Sequence, residues 1–241
     1  MGRPPIWTRR QLIDGIRWRT RTGTPWRDVP ERHGPWGRVY DLFRRWQRNG
    51  TWQWIFTKPQ VRADAKGLIA WDINVDSTVC RAHQHAAGAR KKGDLQKEPP
   101  GGIVTEPDDH GLGRSRGGLT TKLHLAVEQG QKPMSIVVTA GQRGDSPQFE
   151  PVLNKVRVPR TGPGPHPARP RARRQGVRLP QETRLPRRPA AEVRQDRLPR
   201  AHAVECGINR LKRQRAVATR YEKLAVRYEA TVLIAAINEW L

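Results

Sequence analysis

The sequence is poor in cysteine and has no long apolar run. Its 241 residues include two cysteines, Cys80 and Cys206, which do not form a CxxC pair. This argues against a disulfide scaffold and a zinc ribbon, and it fits a reduced, cytoplasmic compartment. No run approaches the roughly 18 apolar residues of a membrane-spanning helix, so we expect no membrane partner. The stretch after Met1 also lacks the apolar segment of a signal peptide.

Acidic residues are scarce. Asp and Glu total 22 against 46 Lys and Arg, which gives a formal net charge of +24. A chain with this charge binds polyanions strongly, and nucleic acid is the leading partner because neutralised phosphates release counterions. A ribosomal-type protein or a disordered basic tail would carry the same charge. The charge alone therefore predicts a polyanionic partner and nothing more specific.

Aromatic residues are absent over a long internal stretch, from Glu150 to Arg220. Within it, from about residue 161 to residue 201, Pro and Arg dominate. Pro recurs too often there for helix or sheet. The simplest interpretation of this segment is a disordered basic linker.

The residues from 3 to about 57 have the pattern of a small helical unit. Thr8 and Gln11 fit a capping box, and Gly23 with Pro25 would end the first helix. A second helix is predicted after the turn at 33–37. Its apolar face consists of Val39, Leu42, Phe43 and Trp46.

Three arginines lie off that apolar face, Arg44, Arg45 and Arg48. A two- or three-helix unit with surface arginines resembles a DNA-binding domain of the helix-turn-helix type. We therefore predict that these arginines contact DNA. The alternative is a helical cap whose arginines are only solvated.

From Gly67 onward, the pattern of apolar and polar residues becomes that of β-strands. We predict a buried strand over 68–75 that ends at Asp76, a half-exposed strand over 119–127 and a third strand over 134–139, with a hairpin turn at 128–133. A helix capped by Ser146 should follow, and the residues from 202 to 241 should be helical. Residues 86–118 are rich in Gly, Lys and Arg, which indicates a long mobile loop. The pattern predicts an α/β fold.

Asp76 and Glu205 are the candidate catalytic acids. Phosphodiester chemistry with two metal ions needs carboxylates that converge from different elements, as a strand and a later helix would provide. Each acid alone has a simpler explanation. A strand-end Asp is usually a turn or cap residue, and a helical Glu beside Arg and Lys usually forms solvated ion pairs.

Several segments, in order, resemble bacterial insertion-sequence transposases of the DDE type. Residues 75–85 resemble the motif of the first acid, 113–124 the following strand, 141–149 the next turn, and 202–221 the helix of the third acid. Glu205 and Lys212 keep the family spacing of six intervening residues. The N-terminal Trp- and Arg-rich unit resembles the family's helical domain. The resemblance covers residues 3–160 and 202–241.

The resemblance implies an incomplete ribonuclease H-like catalytic core over 67–241 and a small all-α DNA-binding domain over 1–60. It also implies Mg²⁺ or Mn²⁺ held by Asp76 and Glu205 as the first and third ligands, with Lys212 and the neighbouring Arg210 on DNA. The implied activity is the cutting and joining of double-stranded DNA at inverted-repeat ends and at a target. We expect a homodimer on DNA, nucleoid-associated in a bacterial cytoplasm, with Cys80 as a packing residue.

One part of the family pattern is missing. The family's second Asp opens a motif like D-K-A-Y-x-S, and no such motif occurs between Phe149 and Glu205. Ala201 and Leu198 also stand where the family has Arg and Tyr. Asp145, Glu182 and Asp196 could substitute for the lost acid, but no strand pattern positions them.

Two explanations for the missing motif stay open, a genuine Pro/Arg-rich insert and a shifted reading frame. Residues 174–182 can be encoded as CGA CAA GGC GTA CGC CTC CCG CAA GAA. Read one nucleotide later, this string gives Asp-Lys-Ala-Tyr-Ala-Ser-Arg-Lys. We therefore predict a degenerate transposase that binds DNA without catalysing strand transfer, with an open sheet edge where a strand is lost. A non-enzymatic DNA-binding protein is the alternative, and an RNA-associated basic protein is a weaker one.

Overall fold

The computed structural model describes residues 6–89, 106–115, 118–159, 171–174 and 200–241. These residues form a mixed α/β structure, with helices first and a six-stranded sheet after them. The other residues, including most of the Pro/Arg-rich segment with Glu182, Asp196 and Leu198, lie outside the described ranges.

The first helix, α1 (Arg9–Thr22), begins and ends as its sequence predicts. The Gln11 N–H donates to Thr8 Oγ1 at 3.2 Å, and the Thr8 N–H donates to Gln11 Oε1 at 3.0 Å. At the other end, Gly23 adopts the left-handed conformation, with φ of 68°, and caps the helix. The predicted capping box is therefore confirmed.

Two further helices complete the N-terminal unit. Helix α2 (Trp36–Arg48) buries Val39, Leu42 and Phe43, as predicted. Helix α3 (Thr51–Ala65) runs past the predicted limit of the unit at residue 57 and contains Pro59. Proline usually indicates a helix end, but α3 continues through Pro59. Near its start, the buried Trp52 donates its indole N–H to the carbonyl oxygen of Phe43 at 3.1 Å.

The sheet is built around β1 (Asp72–Ala82). On one side β1 pairs antiparallel with β3 (Gly118–Val127), and β3 pairs antiparallel with β2 (Gly113–Ser115) and with β4 (Pro133–Ala140). On its other side β1 pairs in parallel with β5 (Arg171–Arg174) and with β6 (Thr219–Arg220). The predicted strands over 119–127 and 134–139 and the hairpin between them are confirmed.

Four predicted elements need correction. The first strand starts at Asp72 and continues to Ala82, because β3 pairs with it as far as Arg81, so Asp76 lies inside the strand and not at its end. The loop predicted over 86–118 contains part of the short helix α4 (Gln84–Ala87) and strand β2. Strand β3 is buried on both faces over most of its length, not half-exposed. Residues 171–174 form a strand, although Pro content argued against sheet there.

The remaining helices lie on the sheet. Helix α5 (Phe149–Asn154) follows a 3₁₀ turn that contains Ser146, so Ser146 belongs to the turn instead of capping the helix. The predicted C-terminal helical region consists of α6 (Arg200–Lys212), α7 (Arg215–Ala218) and α8 (Ala225–Trp240), and β6 interrupts it. As predicted, the apolar face of α6 is buried, and so are residues 232–237 of α8.

One cluster of buried apolar side chains joins the helical unit to the sheet. It includes Ile16, Phe43 and Phe56 from the first three helices, and Leu125 and Ile234 from β3 and α8. Helix α3 packs against α8, and α1 packs against α7. The N-terminal helices therefore share a core with the residues around β1.

A buried arginine fixes the loop before β2. Arg220 is fully buried, and its guanidinium donates to the carbonyl oxygens of His110, Gly111, Glu222 and Lys223 at 2.7–3.1 Å and to the Thr121 hydroxyl at 2.6 Å. Burial lowers the pKa of Arg220 to about 10, so the group stays charged at neutral pH. Its hydrogen bonds hold the chain at 110–111 against β3 and β6.

Candidate active site

Asp76 lies in the middle of β1, opposite Leu125 of β3. Its carboxylate is half-buried and accepts a hydrogen bond from the Ser77 N–H at 2.7 Å. Burial raises the pKa of Asp76, and the charges of Asp145 and Glu205 raise it further, against the opposing effect of the Ser77 N–H. Two further carboxylates therefore act on Asp76 at this point of the sheet.

Helix α6 brings Glu205 and Lys212 to β1. The helix packs on β1 and β3 through its buried face, which leaves Glu205 exposed. Lys212 Nζ donates to the Thr78 hydroxyl at 2.5 Å and to the Val79 carbonyl oxygen at 3.2 Å. Two residues predicted from the sequence thus flank the strand segment that carries Asp76.

The sequence prediction missed a polar network beside Asp76. Asp145 accepts from the Ser77 hydroxyl at 2.6 Å and from Lys122 Nζ at 3.1 Å. The same lysine also donates to the Arg143 carbonyl oxygen at 2.8 Å. Although burial opposes it, these two donors lower the pKa of Asp145. The sequence offers Asp145 only as a substitute acid without strand context, whereas tertiary contacts hold it next to the first acid.

His124 belongs to the same network. It lies opposite Ser77 in the sheet, is 2% exposed, and its Nε2 is 2.8 Å from the Thr139 hydroxyl. Nδ1 lies 3.7 Å from Asp145 Oδ1. Burial lowers the pKa of His124 to about 4, and Lys122 adds to this effect while Asp145 opposes it. The imidazole is therefore neutral at pH 7.

The donor set for a divalent cation is incomplete. Asp76 and Glu205 offer the hard oxygen ligands that Mg²⁺ and Mn²⁺ prefer. Within the ranges that the structure describes, however, no three His, Cys, Asp or Glu side chains are grouped as a metal site would require. Asp145 is already engaged by Ser77 and Lys122. The acids present fit a two-metal site only in part.

The edge of β1 opposite β3 is interrupted beside Asp76. Strand β5 ends at Arg174, which pairs with Val75, and β6 begins to pair only at Arg81. Between these two pairings, no described strand covers residues 76–80 on that edge. Lys212 reaches into this gap and binds the Val79 carbonyl oxygen. Among the described strands, the edge of β1 is therefore open only beside the candidate site.

The other residues predicted to contact DNA are four arginines that differ in exposure and in their neighbours. Arg45 and Arg48 are exposed on α2, whereas the guanidinium of Arg44 lies 5.4 Å from the Tyr40 ring centre. Arg210 on α6 is 3.9 Å from the Glu239 carboxylate of α8. The structure does not test the DNA-binding roles of these residues, which stay predictions.

Cys80 is fully buried in β1. Burial raises the pKa of its thiol, so the thiolate that a nucleophile needs is disfavoured. This agrees with the predicted packing role.

No helix in the described ranges combines the length and the apolar character that crossing a membrane requires.

The comparisons with known proteins support an origin in mobile DNA. Residues 1–56 match a family described as putative transposase of the IS4/5 family. The chain is also similar to an uncharacterized protein, y4sN, of Sinorhizobium fredii, with 38% identity over 89 residues. That alignment covers 37% of this chain and 67% of the relative. No solved structure matches the chain significantly.

Proposed function

Because this chain belongs to the IS4/5 family of putative insertion-sequence transposases, we propose that it binds transposon DNA but has lost strand cleavage. In this proposal the residues around β1 are an incomplete ribonuclease H-like catalytic core. Asp76 and Glu205 are the remnants of a site with three acids. The N-terminal helices and the surrounding cations keep the ability to bind double-stranded DNA.

The observation that carries the proposal is the pairing of β5 with β1. The last residue of β5, Arg174, pairs with Val75, the residue just before Asp76. Codon 174 is also where a one-nucleotide shift in the encoding given above starts the motif Asp-Lys-Ala-Tyr. A second acid at the end of a strand next to the first acid could hold the metal ions together with it. The chain has arginine there instead of a carboxylate.

A divalent cation would be held by Asp76 and Glu205. Such a cation would polarise the scissile phosphate and lower the pKa of an attacking water or hydroxyl. With one ligand missing, binding should be weak and the reacting groups misplaced. Lys212, fixed by Thr78 and Val79, would contact the DNA backbone near that phosphate.

A cleavage assay tests the loss of activity. Supercoiled plasmid carrying the inverted repeats that flank the gene is incubated with the chain and Mg²⁺ or Mn²⁺. We expect no cutting by this chain, and recovery of cutting when the frame is shifted by one nucleotide from codon 174 and returned before α6, so that Glu205 and Lys212 are kept. Efficient cutting that is abolished by Asp76→Asn would overturn the proposal. The coding DNA across codons 160–205, read in three frames, is an independent check.

DNA binding is tested separately, by titrating duplexes with and without the inverted repeat at several salt concentrations. Arg45→Ala with Arg48→Ala should weaken binding and reduce the slope of log K against log salt by up to about 1.8, because two phosphate contacts are lost. Lys66→Ala, at an exposed cation just after α3, is the matched control. Equal binding by the double variant and the control would exclude α2 as the DNA-contacting helix.

A further inference from the structure

A row of neighbouring rings, tilted by 31° and 37° to one another, lies where β1 ends, outside the candidate active site. The His83 ring lies 4.9 Å from both the His85 ring and the Tyr221 ring. The guanidinium of Arg19 lies 5.9 Å from the centre of the Tyr221 ring and 4.7 Å from that of Trp26. Arg19 is 3% exposed, whereas His85 is exposed. This ring row therefore begins in the core and ends at the surface.

The ring row is held in place by the backbone. The His83 N–H donates to the Arg220 carbonyl oxygen at 2.9 Å, and His83 Nδ1 accepts from the His85 N–H at 3.3 Å, which caps α4. Tyr221 packs against Gly23, where an added Cβ would lie 3.2 Å from the tyrosine ring. The rings are thus arranged before any ligand arrives, and a preorganised surface loses little entropy on binding.

Exposed cations surround the ring row. Arg81 lies two residues before His83 on β1, Arg215 lies with Tyr221 against Gly23, and Lys223 approaches Gly88 at the end of α4. None of the three forms an ion pair with any residue in the described part of the chain. The nearby Glu222 is buried and paired with Arg19 at 2.9 Å. The surface at this end of β1 is therefore strongly positive.

We propose that the ring row and these three cations form a binding surface for single-stranded DNA. The exposed ring of His85 offers a face on which an unpaired base can stack, and Arg81, Arg215 and Lys223 neutralise the phosphates on either side. In a duplex the bases are already stacked on each other, so none has a free face for the His85 ring. The surface lies close to the candidate active site, since Arg81 follows Asp76 by five positions, about 16 Å along β1.

This inference rests on the proposed DNA-binding function and adds the kind of strand that is bound. An unpaired strand next to Asp76 is the form of DNA that strand cutting and joining would expose. A chain that has lost cleavage would still keep this surface, because none of its residues is a candidate metal ligand.

The test is a fluorescence-anisotropy titration with two probes, a labelled oligothymidylate of about 15 nucleotides and a labelled duplex of the same length. His85→Ala should weaken oligothymidylate binding at least about fivefold and leave duplex binding nearly unchanged. His85→Tyr should retain the affinity, because it retains a ring. Arg81→Ala should reduce the single-strand salt slope by about 0.7, whereas Lys66→Ala should not.

Three outcomes would overturn the inference. In the first, the wild-type chain does not bind oligothymidylate. In the second, the His85→Ala and Arg81→Ala variants bind it as tightly as the wild type. In the third, the variants lose the same amount of affinity for the single strand and for the duplex. Circular dichroism of each variant shows whether the fold is intact. The Arg45 and Arg48 variants separate this inference from the proposed function, since they should affect the inverted-repeat duplex and leave oligothymidylate binding intact.

Discussion

At the scale of single residues, the side chains next to Asp76 form one polar network. Asp145 accepts from the Ser77 hydroxyl and from Lys122, and its Oδ1 lies 3.7 Å from Nδ1 of His124. His124 is the buried member of this network, and burial lowers the pKa of its imidazole. Its protonation therefore differs between the folded and the unfolded chain.

His124 gives a prediction for acid stability. The folded chain takes up a proton on this imidazole at about pH 4, and an unfolded chain does so near its ordinary pKa of 6.5. Between these values the unfolded state binds more protons, so the free energy of unfolding should fall as pH is lowered from 6.5 to 4. The contribution of His124 to this fall should be about 3 kcal/mol.

The measurement is urea unfolding at a series of pH values for the wild type and His124→Gln. The glutamine can still hydrogen-bond the Thr139 hydroxyl but does not titrate. The free energy of unfolding of the wild type should fall more than that of the variant between pH 6.5 and pH 4, by the amount that His124 contributes. A constant difference across the range would show that His124 does not titrate abnormally.

The residues of the candidate site differ in how far they could be predicted from sequence. Asp76 and Glu205 could be picked out because motifs and spacing surround them. The Ser77–Asp145–Lys122 network could not, because its members are far apart in sequence and meet only through strand pairing. Each polar residue in such a network has an ordinary surface interpretation until the register of the sheet is known.

At the scale of elements, local signals predicted the helix ends and most strands, and tertiary pairing decided the rest. The capping box at Thr8 and the left-handed Gly23 follow from local chemistry and were confirmed. The predicted limits of the first strand were wrong because pairing with β3 as far as Arg81, and with β6 at Ala82, extends it, and no local pattern shows this. Strands β5 and β6 are too short, with four and two residues, to have a detectable alternation, and they form only by pairing with β1.

The start of α8 depends on a carboxylate from a distant loop. Glu106 accepts from the Ala225 N–H at 2.6 Å and the Val226 N–H at 3.0 Å, and its Oε1 lies 2.7 Å from His110 Nδ1. A buried carboxylate at a helix N-terminus satisfies free N–H groups and interacts favourably with the helix dipole. This cap could not be predicted locally, because its partners are 119 positions apart in the chain.

We predict that Glu106→Ala lowers the free energy of unfolding by about 1–3 kcal/mol, because two buried N–H groups lose their acceptor. The melting temperature should fall by roughly 2–4 °C for each kcal/mol. Asp108→Asn removes a carboxylate from an exposed position in the same loop and is the control. A change of equal size in both variants would mean that loop charge, and not capping, is responsible.

At the scale of the whole molecule, the N-terminal helices and the sheet are held together by more than apolar packing. The predicted division into domains at 1–60 and 67–241 stays a prediction, but its first boundary falls inside α3. Arg19 of α1 and Glu222, just after β6, form a buried ion pair at 2.9 Å across this boundary. The N–H of Arg19 is not aimed at the oxygen, so the contact is electrostatic more than a directed hydrogen bond.

This arrangement predicts that the helices and the sheet unfold together. Eight of the nine tryptophans lie at or before Trp71, so their fluorescence reports mainly on the N-terminal part, while circular dichroism reports on the whole chain. The two signals should give one coincident transition. Arg19→Met and Glu222→Gln should each lower the free energy of unfolding by about 3–5 kcal/mol, since each leaves a buried group without its partner.

The double variant should lose less than the sum of the two single losses, because the penalty of one unpaired buried charge disappears when both partners are replaced. The exposed pair Arg10–Asp14 in α1, with a distance of 3.1 Å, provides the control, and Arg10→Met should change stability by no more than about 0.5 kcal/mol. Separate fluorescence and dichroism transitions, or strictly additive losses, would show that the N-terminal helices fold independently and that Arg19 and Glu222 do not couple them to the sheet.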